Sequence, residues 1–230
     1  MKVLAIIPAR GGSKEIEKKN VVDVCGRPLL YYTVKSALEI LHDDIVSEVI
    51  LSTDCNEIVD IARKMGVKVP FLRPEELAGD KSSPAEYILH ALDFYKDRGV
   101  IFDTILILQP TSPLRTYQDI KNAVDLFGSH SCDTLISVYR EEKLSDLIMY
   151  HCQDNFGVAL NKNHSRAVMR QDQNSIYIRN GALYMANVEF VRKTKRLISD
   201  CPLLYEMPKS RSVNVDSYED LEVARNVLCR

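Results

Sequence analysis

A doubly wound α/β domain with a mostly parallel sheet is the fold class this sequence predicts, and three observations predict it. The run Val3-Leu4-Ala5-Ile6-Ile7 is continuous, apolar and partly β-branched, as a strand buried on both faces should be. Strand-like and helix-like segments then alternate through the first two thirds of the chain, the pattern of a parallel sheet flanked by helices. A glycine-rich basic loop follows the first run at its carboxyl end, where open α/β sheets bind ligands.

The elements follow in order. Pro8 ends the first strand. Pro28 opens a helix through about Leu41, and Glu48 to Ser52 reads as the next strand, closing in Thr53-Asp54. Helices are expected near 56–65 and 85–97, with strands near 67–70 and 103–109. After a loop at 110–115, a helix near 117–127 leads to a strand near 132–139. From about Glu141 to Asn180 the periodicity weakens, and we expect either an irregular insertion or a β-rich arm, suited to covering a substrate or embracing a second subunit. Tyr184-Met185 falls in a strand after Asn180-Gly181, with Tyr184 in the core. Asp216 to Leu228 reads as a terminal helix capped by Asp216 or Ser217, with Glu219 and Asp220 in its first turn. Residues 1–230 are thus expected to form one domain, the arm being its only appendage.

Composition narrows the function. The chain has 230 residues, 46% of them hydrophobic, and a formal net charge of −2, which suits a packed core and argues against disorder. No positively charged start precedes a long apolar run, and no apolar stretch is long enough to span a bilayer, so we expect a soluble, cytoplasmic protein with no membrane partner. The six cysteines show neither a CxxC pair nor a Cys/His cluster at metal-ligand spacing. Reduced, structural thiols are the expectation. The five histidines are scattered, and none stands out as a base.

Chemistry concentrates in Ile7-Pro8-Ala9-Arg10-Gly11-Gly12-Ser13-Lys14 and the following Lys18-Lys19-Asn20. Gly11 and Gly12 let the backbone turn sharply and bring its N–H groups close to an oxyanion. Arg10, Lys14, Lys18 and Lys19 outnumber Glu15 and Glu17, and a basic loop in a mildly acidic chain points to a small polyanion rather than a nucleic acid. The spacing is neither GxxxxGK[ST] nor GxGxxG.

Further blocks share an order with this loop. They are Gly26 with Pro28-Leu29; Ser52-Thr53-Asp54; Pro70 to Pro74 with Glu76-Leu77-Ala78 and Asp80; Leu108-Gln109-Pro110-Thr111-Ser112-Pro113-Leu114-Arg115; Asn180 to Tyr184; and Val213 to Asp216 with Glu219-Asp220-Leu221. Together they resemble the CMP-nonulosonate synthetases, or acylneuraminate cytidylyltransferases, across almost the whole chain. The resemblance implies a Rossmann-like nucleotidyltransferase fold, usually dimeric, with an arm of one subunit over the other's site. It implies transfer of CMP from CTP to the anomeric hydroxyl of a 2-keto sugar acid with nine carbons, releasing pyrophosphate, with Mg²⁺ as cofactor. The octulosonate cytidylyltransferases are the nearest alternative, and a homologue that binds CTP without turnover is another.

Carried onto this sequence, the resemblance implies that Ala9, Arg10, Gly11, Ser13, Lys14 and Lys19 meet the triphosphate. Asn20, Arg73, Asp80 and Ser82 fall toward the cytidine, though Arg73 equally suits helix packing and Ser13 equally suits a turn. Gln109 stands where a polar side chain at a buried strand's end is wasted unless it faces a ligand. It and Arg170, Gln171 and Asn180 belong to the sugar side, where Arg170 suits a bidentate pair with the acid's carboxylate. Arg115 either caps carbonyls or faces substrate, the former being favoured. Arg10, Lys19 and Asp216 carry the catalytic expectation: stabilising charge during in-line attack on the α-phosphorus, with Asp216 orienting the nucleophile or a metal-bound water.

Three positions depart from the family pattern. Where two aspartates flank one apolar residue in the family, this chain reads Asn214-Val215-Asp216. Residues two apart in an extended segment share a face, and an amide oxygen is an acceptable hard ligand, so Asn214 and Asp216 form the expected metal pair with weakened affinity. Glu15 and Glu17 replace a glycine or basic residue and a proline, and they either point to solvent or lower phosphate affinity.

Overall fold

The computed structural model describes residues 1–79, 81–142, 146–165 and 176–229. Among these the main sheet has six strands: β1 (Val3–Pro8), β4 (Glu48–Ser52), β5 (Thr104–Leu108), β6 (Thr134–Glu141), β9 (Ile176–Asn187) and β10 (Leu203–Glu206). Their spatial order is β10-β6-β9-β5-β1-β4. β1 pairs parallel with β4 and β5, and β10 parallel with β6, while β9 runs antiparallel to both its neighbours. The sheet is therefore mostly parallel, as expected.

The period of two along β1 divides the core between two layers. Val3, Ala5 and Ile7 pack into one cluster with α1 (Leu30–His42), α2 (Asn56–Lys64) and α4 (Tyr117–Ser129). Leu4 and Ile6 pack into another with α3 (Pro84–Lys96) and α5 (Val188–Thr194). Each helix starts where its sequence allows. Pro84 takes the first position of α3, where its missing N–H costs nothing. Thr116 with Asp119 caps α4, and Ser217 with Asp220 caps α6 (Tyr218–Leu228).

A third cluster positions the site. Ile16, Val24 and Leu29 bury against Val215, Leu221 and Ala224, seating α6 on the segment that follows the basic loop. That segment holds a hairpin of β2 (Asp23–Val24) and β3 (Arg27–Pro28), turned at Cys25 and Gly26 with φ of +56° and +75°.

Several expectations are corrected. Pro28 lies in β3, and the helix begins at Leu30, because Arg27 and Pro28 pair with Val24 and Asp23. The strand expected near 67–70 reduces to a single bridge between Ile50 and Lys68. The expectation of reduced thiols fails at one pair: Cys25 and Cys229 form a disulfide, with Cα atoms 5.4 Å apart. No spacing rule finds a pair 204 residues apart.

The described residues of the 141–180 region are more regular than their sequence suggests. They contain a hairpin of β7 (Tyr150–Gln153) and β8 (Phe156–Ala159), followed by the start of β9. Pairing between β6 and β9 also breaks register: Ile136 faces Tyr184, but Val138 faces Arg179.

Candidate active site

The basic loop is fixed where the ends of β1 and β4 meet. Ala9 donates to Ser52 O at 2.9 Å, and Gly11 N–H donates to Asp54 Oδ1 at 2.9 Å. A Cβ at Gly11 would stand 2.7 Å from the Cβ of Cys55, so only glycine lets the loop lie this close to the β4 end. Ile16 is fully buried while Glu15 and Glu17 on either side are exposed. One apolar anchor thus holds the loop and leaves its charges outside.

Around this loop lies a cleft of about 670 Å³. Of the residues singled out from sequence, Arg10, Ser13, Lys14, Lys19, Asn20, Arg73, Ser82, Gln109, Asn214 and Asp216 all line it. Glu15 lines it too, while Lys18 turns away to pair with Glu57 at 2.7 Å. Tyr87, Pro110 and Thr111 are among the further lining residues not singled out as contacts. Tyr87 is apolar packing by sequence pattern, and only the fold brings it to the cleft.

The cleft's far side is the start of α6. Lys19 Nζ donates to Asp216 Oδ1 at 2.8 Å and to Val215 O at 3.1 Å. Asp216 also accepts from the amide of Asn214. The Asn214 Oδ1 atom is buried and has no hydrogen-bond partner among the described residues, and it lies 3.4 Å from the point a Gly181 Cβ would occupy. Gln109 Oε1 lies 3.0 Å from the same point. Gly181, with φ of +75°, is therefore the residue that lets Gln109 and Asn214 approach β9.

Some candidates serve the frame rather than the opening. Asn20 donates to Arg10 O at 2.8 Å and so fixes the loop's shape. Arg73 is buried, donates to Ser52 Oγ and O, and lies 4.7 Å from the Tyr87 ring. Burial lowers its pKa, with Tyr87 and Asp54 opposing that shift. Arg115 is buried and donates to the carbonyls of Gln109 and Ala182 and to Thr33. Burial lowers its pKa to about 9, which still leaves it charged at neutral pH.

Asn180 corrects an expectation. Its side chain is 3% exposed. It accepts from Ser137 Oγ at 2.6 Å and from Ala182 N–H, and donates to Ser212 Oγ at 2.9 Å. With its polar atoms spent internally, it staples the β6–β9 irregularity instead of facing the opening. Ala9 and Gly11 sit behind the loop, and Tyr184 is core as expected. Asp80, Arg170 and Gln171 lie outside the described residues.

A larger groove of about 1240 Å³ between α1, α2 and α4 is walled by Val34, Leu38, Ile61 and Met65. No residue from Arg10 to Lys19 lines it, and the phosphate chemistry lies elsewhere.

A basic, glycine-containing loop at the carboxyl edge of a mostly parallel sheet, facing Asp216 across a cleft, defines the class as a nucleotide-binding α/β protein. The chain matches the cytidylyltransferase family model over residues 4–213, and it belongs to that family. It is 35% identical over 228 residues to an N-acylneuraminate cytidylyltransferase of Escherichia coli O18:K1:H7, covering 97% of this chain and 51% of that protein. The chain thus spans about half the length of that relative. It is 30% identical over 225 residues to a pseudaminic acid cytidylyltransferase of Campylobacter jejuni, covering 98% and 95% of the two chains. Among solved structures, a CMP:2-keto-3-deoxy-manno-octonic acid synthetase complexed with CTP superposes with a TM-score of 0.69 at 15% identity, covering 99% and 98%. That likeness concerns the fold.

Proposed function

We propose that this protein transfers CMP from CTP to the anomeric hydroxyl of a nonulosonic, sialic-type 2-keto acid and releases pyrophosphate. The observation that carries the reading is the convergence of Arg10, Lys14, Lys19, Gln109 and Asp216 on one cleft. A polyphosphate needs the first three, an acceptor hydroxyl needs a polar neighbour such as Gln109, and a nonreacting binding site has no use for Asp216 beside them. Relatives named for N-acylneuraminate and pseudaminic acid support the nine-carbon acceptor.

In this reading the basic loop receives the triphosphate, and Arg10 and Lys19 stabilise charge on the α-phosphate and on the departing pyrophosphate. Asp54 accepts from the Gly11 N–H and so anchors the loop from behind. Lys19, held by Asp216 and the Val215 carbonyl, is oriented before substrate arrives. Asp216 orients the attacking hydroxyl, and Gln109 positions the acceptor.

Magnesium belongs to the proposal. Asn214 and Asp216 would hold it, and the ion would supply Lewis-acid stabilisation of the phosphate oxygens. The donor set fits: one exposed carboxylate and one amide oxygen without a partner, completed by phosphates and water as Mg²⁺ prefers. In the structure the Asn214 nitrogen faces Asp216, so holding an ion would require the amide to turn by half, presenting its oxygen on that side.

A homodimer is also proposed, on the exposed Tyr150, Phe156, Val158 and Leu160 of the arm, which a second copy would cover. No helix among the described residues is long and apolar enough to cross a membrane, and use of CTP favours a cytoplasmic site of action.

The test is pyrophosphate release by the purified protein with CTP and Mg²⁺ across N-acetylneuraminate, legionaminate, pseudaminate and the eight-carbon octulosonate. Release with one nine-carbon acid supports the proposal. Release with octulosonate alone replaces the acceptor class, and CTP binding without release on any acid contradicts turnover.

A further inference from the structure

The irregularity between β6 and β9 has a directional effect. From Ile136 to Val138 the β6 strand advances two residues, while its partners run from Tyr184 back to Arg179. In an unbroken strand, residues five apart face opposite sides of a sheet. Here the unpaired residues around Gly181 reverse that parity, as bulges do where a side chain must be re-aimed. Arg179 consequently shares a face with Ile136, Val138 and Tyr184, which pack in the layer beneath α3. That is the side on which Arg73 and Tyr87 wall the cleft.

The stretch of β6 and β9 beyond the register break continues past the carboxyl end of β5, which stops at Leu108 opposite Leu183. Arg179 is exposed, and its guanidinium lies 6.0 Å from the Tyr184 ring. Arg140, opposite Tyr177, is its diagonal neighbour and is also exposed. Such neighbours stand about 7–8 Å apart, and like charges so placed repel. Among the described residues neither arginine has a carboxylate partner. Arg179 is two residues from Gly181, within about 7 Å along the chain, and Gly181 abuts Gln109.

We infer that Arg179, aimed to the cleft side by the Asn180-stapled break in β9, binds the carboxylate of the acceptor, with Arg140 as a flanking cation. The inference rests on the proposed reading that the acceptor is a 2-keto acid. A carboxylate accepts two parallel hydrogen bonds from a guanidinium, and Arg179 is exposed and so open to offer them. Asn180 is then a positioning residue: removed from the substrate itself, it fixes the backbone that points Arg179.

The experiment compares an active acceptor acid with its methyl ester, using wild type, Arg179→Ala and Arg179→Lys. Separate KM values are measured for acceptor and CTP. For the acid, Arg179→Ala is expected to raise the acceptor KM about 10- to 100-fold, the range for a lost charge-assisted pair. The CTP KM should stay within about twofold and the ester should react alike in both proteins, while Arg179→Lys falls between because it keeps the charge without the fork. An unchanged preference for acid over ester in Arg179→Ala overturns the inference alone. An equal rise in the CTP KM overturns it as well, assigning the guanidinium to the triphosphate. A wild type that turns over none of the acids overturns the proposed function together with the inference.

Discussion

Lys19 and Asp216 stand 197 residues apart in sequence, yet their charged atoms meet at 2.8 Å. This pair joins the phosphate loop to the start of α6, and the third cluster, in which Ile16 packs against Val215 and Leu221, holds the two segments at that distance. Lys19 is largely buried but Asp216 is more than half exposed, so the ion pair, open to water at its carboxylate, itself contributes little to stability. Its value is placement. Lys19→Ala is expected to reduce kcat/KM by about 10²- to 10³-fold, as loss of one preorganised donor does, while unfolding free energy moves by less than about 1 kcal/mol. Steady-state kinetics beside denaturant unfolding check both, and a loss of stability matching the loss of activity would make Lys19 structural.

Asn214→Asp is expected to lower the Mg²⁺ concentration that gives half-maximal activity, because a second carboxylate attracts the ion more strongly than an amide. A metal titration with pyrophosphate release as readout decides it. An unchanged midpoint removes Asn214 from the ion's neighbourhood.

Gly11→Ala is expected to raise the KM for CTP about 10-fold, since the new methyl would meet Cys55 Cβ at 2.7 Å and the loop must shift from its place on Asp54. Restoring space should restore binding. The double variant Gly11→Ala, Cys55→Gly is expected to recover part of the loss, and additive losses in the two single variants would show that the contact is not the cause.

How much of this site was legible in the sequence follows from the range of the interactions. The loop could be read because its glycines, its cations and the preceding apolar run are contiguous. Gln109 could be read because a polar side chain ending the buried run Thr104–Leu108 lacks a structural excuse. Asn180 was misread for the opposite reason: its partners Ser137 and Ser212 lie 43 and 32 residues away, and no local pattern signals a side chain wholly consumed by distant groups. The same applies to Cys25 and Cys229, whose pairing depends on how α6 seats. The strand expected at 67–70 does not extend beyond the bridge between Ile50 and Lys68, since Pro70 has no N–H to continue a ladder.

Stability should fall in acid through Asp119. Burial pushes its pKa up, but hydrogen bonds from Arg211 and Thr116 outweigh that and hold the carboxyl below its ordinary value. A depressed folded-state pKa means the contribution is present above the unfolded value, near pH 4, and is lost as pH falls through the folded value. Asp119→Asn is expected to cost about 1–3 kcal/mol at neutral pH, a buried-pair penalty discounted for the part-exposed Arg211. Urea unfolding from pH 7 to pH 2 should show the gap between wild type and variant closing below about pH 4. A constant gap would assign the loss to packing.

Reduction of Cys25–Cys229 should lower Tm by several degrees, because a cross-link between residues 204 positions apart removes much freedom from the unfolded chain. Thermal unfolding with and without dithiothreitol, beside Cys229→Ser, checks this. An oxidised wild type no more stable than the reduced one would place the pair outside the folding cooperative unit.

The most direct test of the central claim follows one CTP through turnover with N-acetylneuraminate or pseudaminate, quantifying products by mass spectrometry. One CMP-linked sugar acid and one pyrophosphate are expected for each CTP consumed, with both lost in Asp216→Ala. Formation of CDP and phosphate, or of free CMP without a sugar adduct, would contradict it.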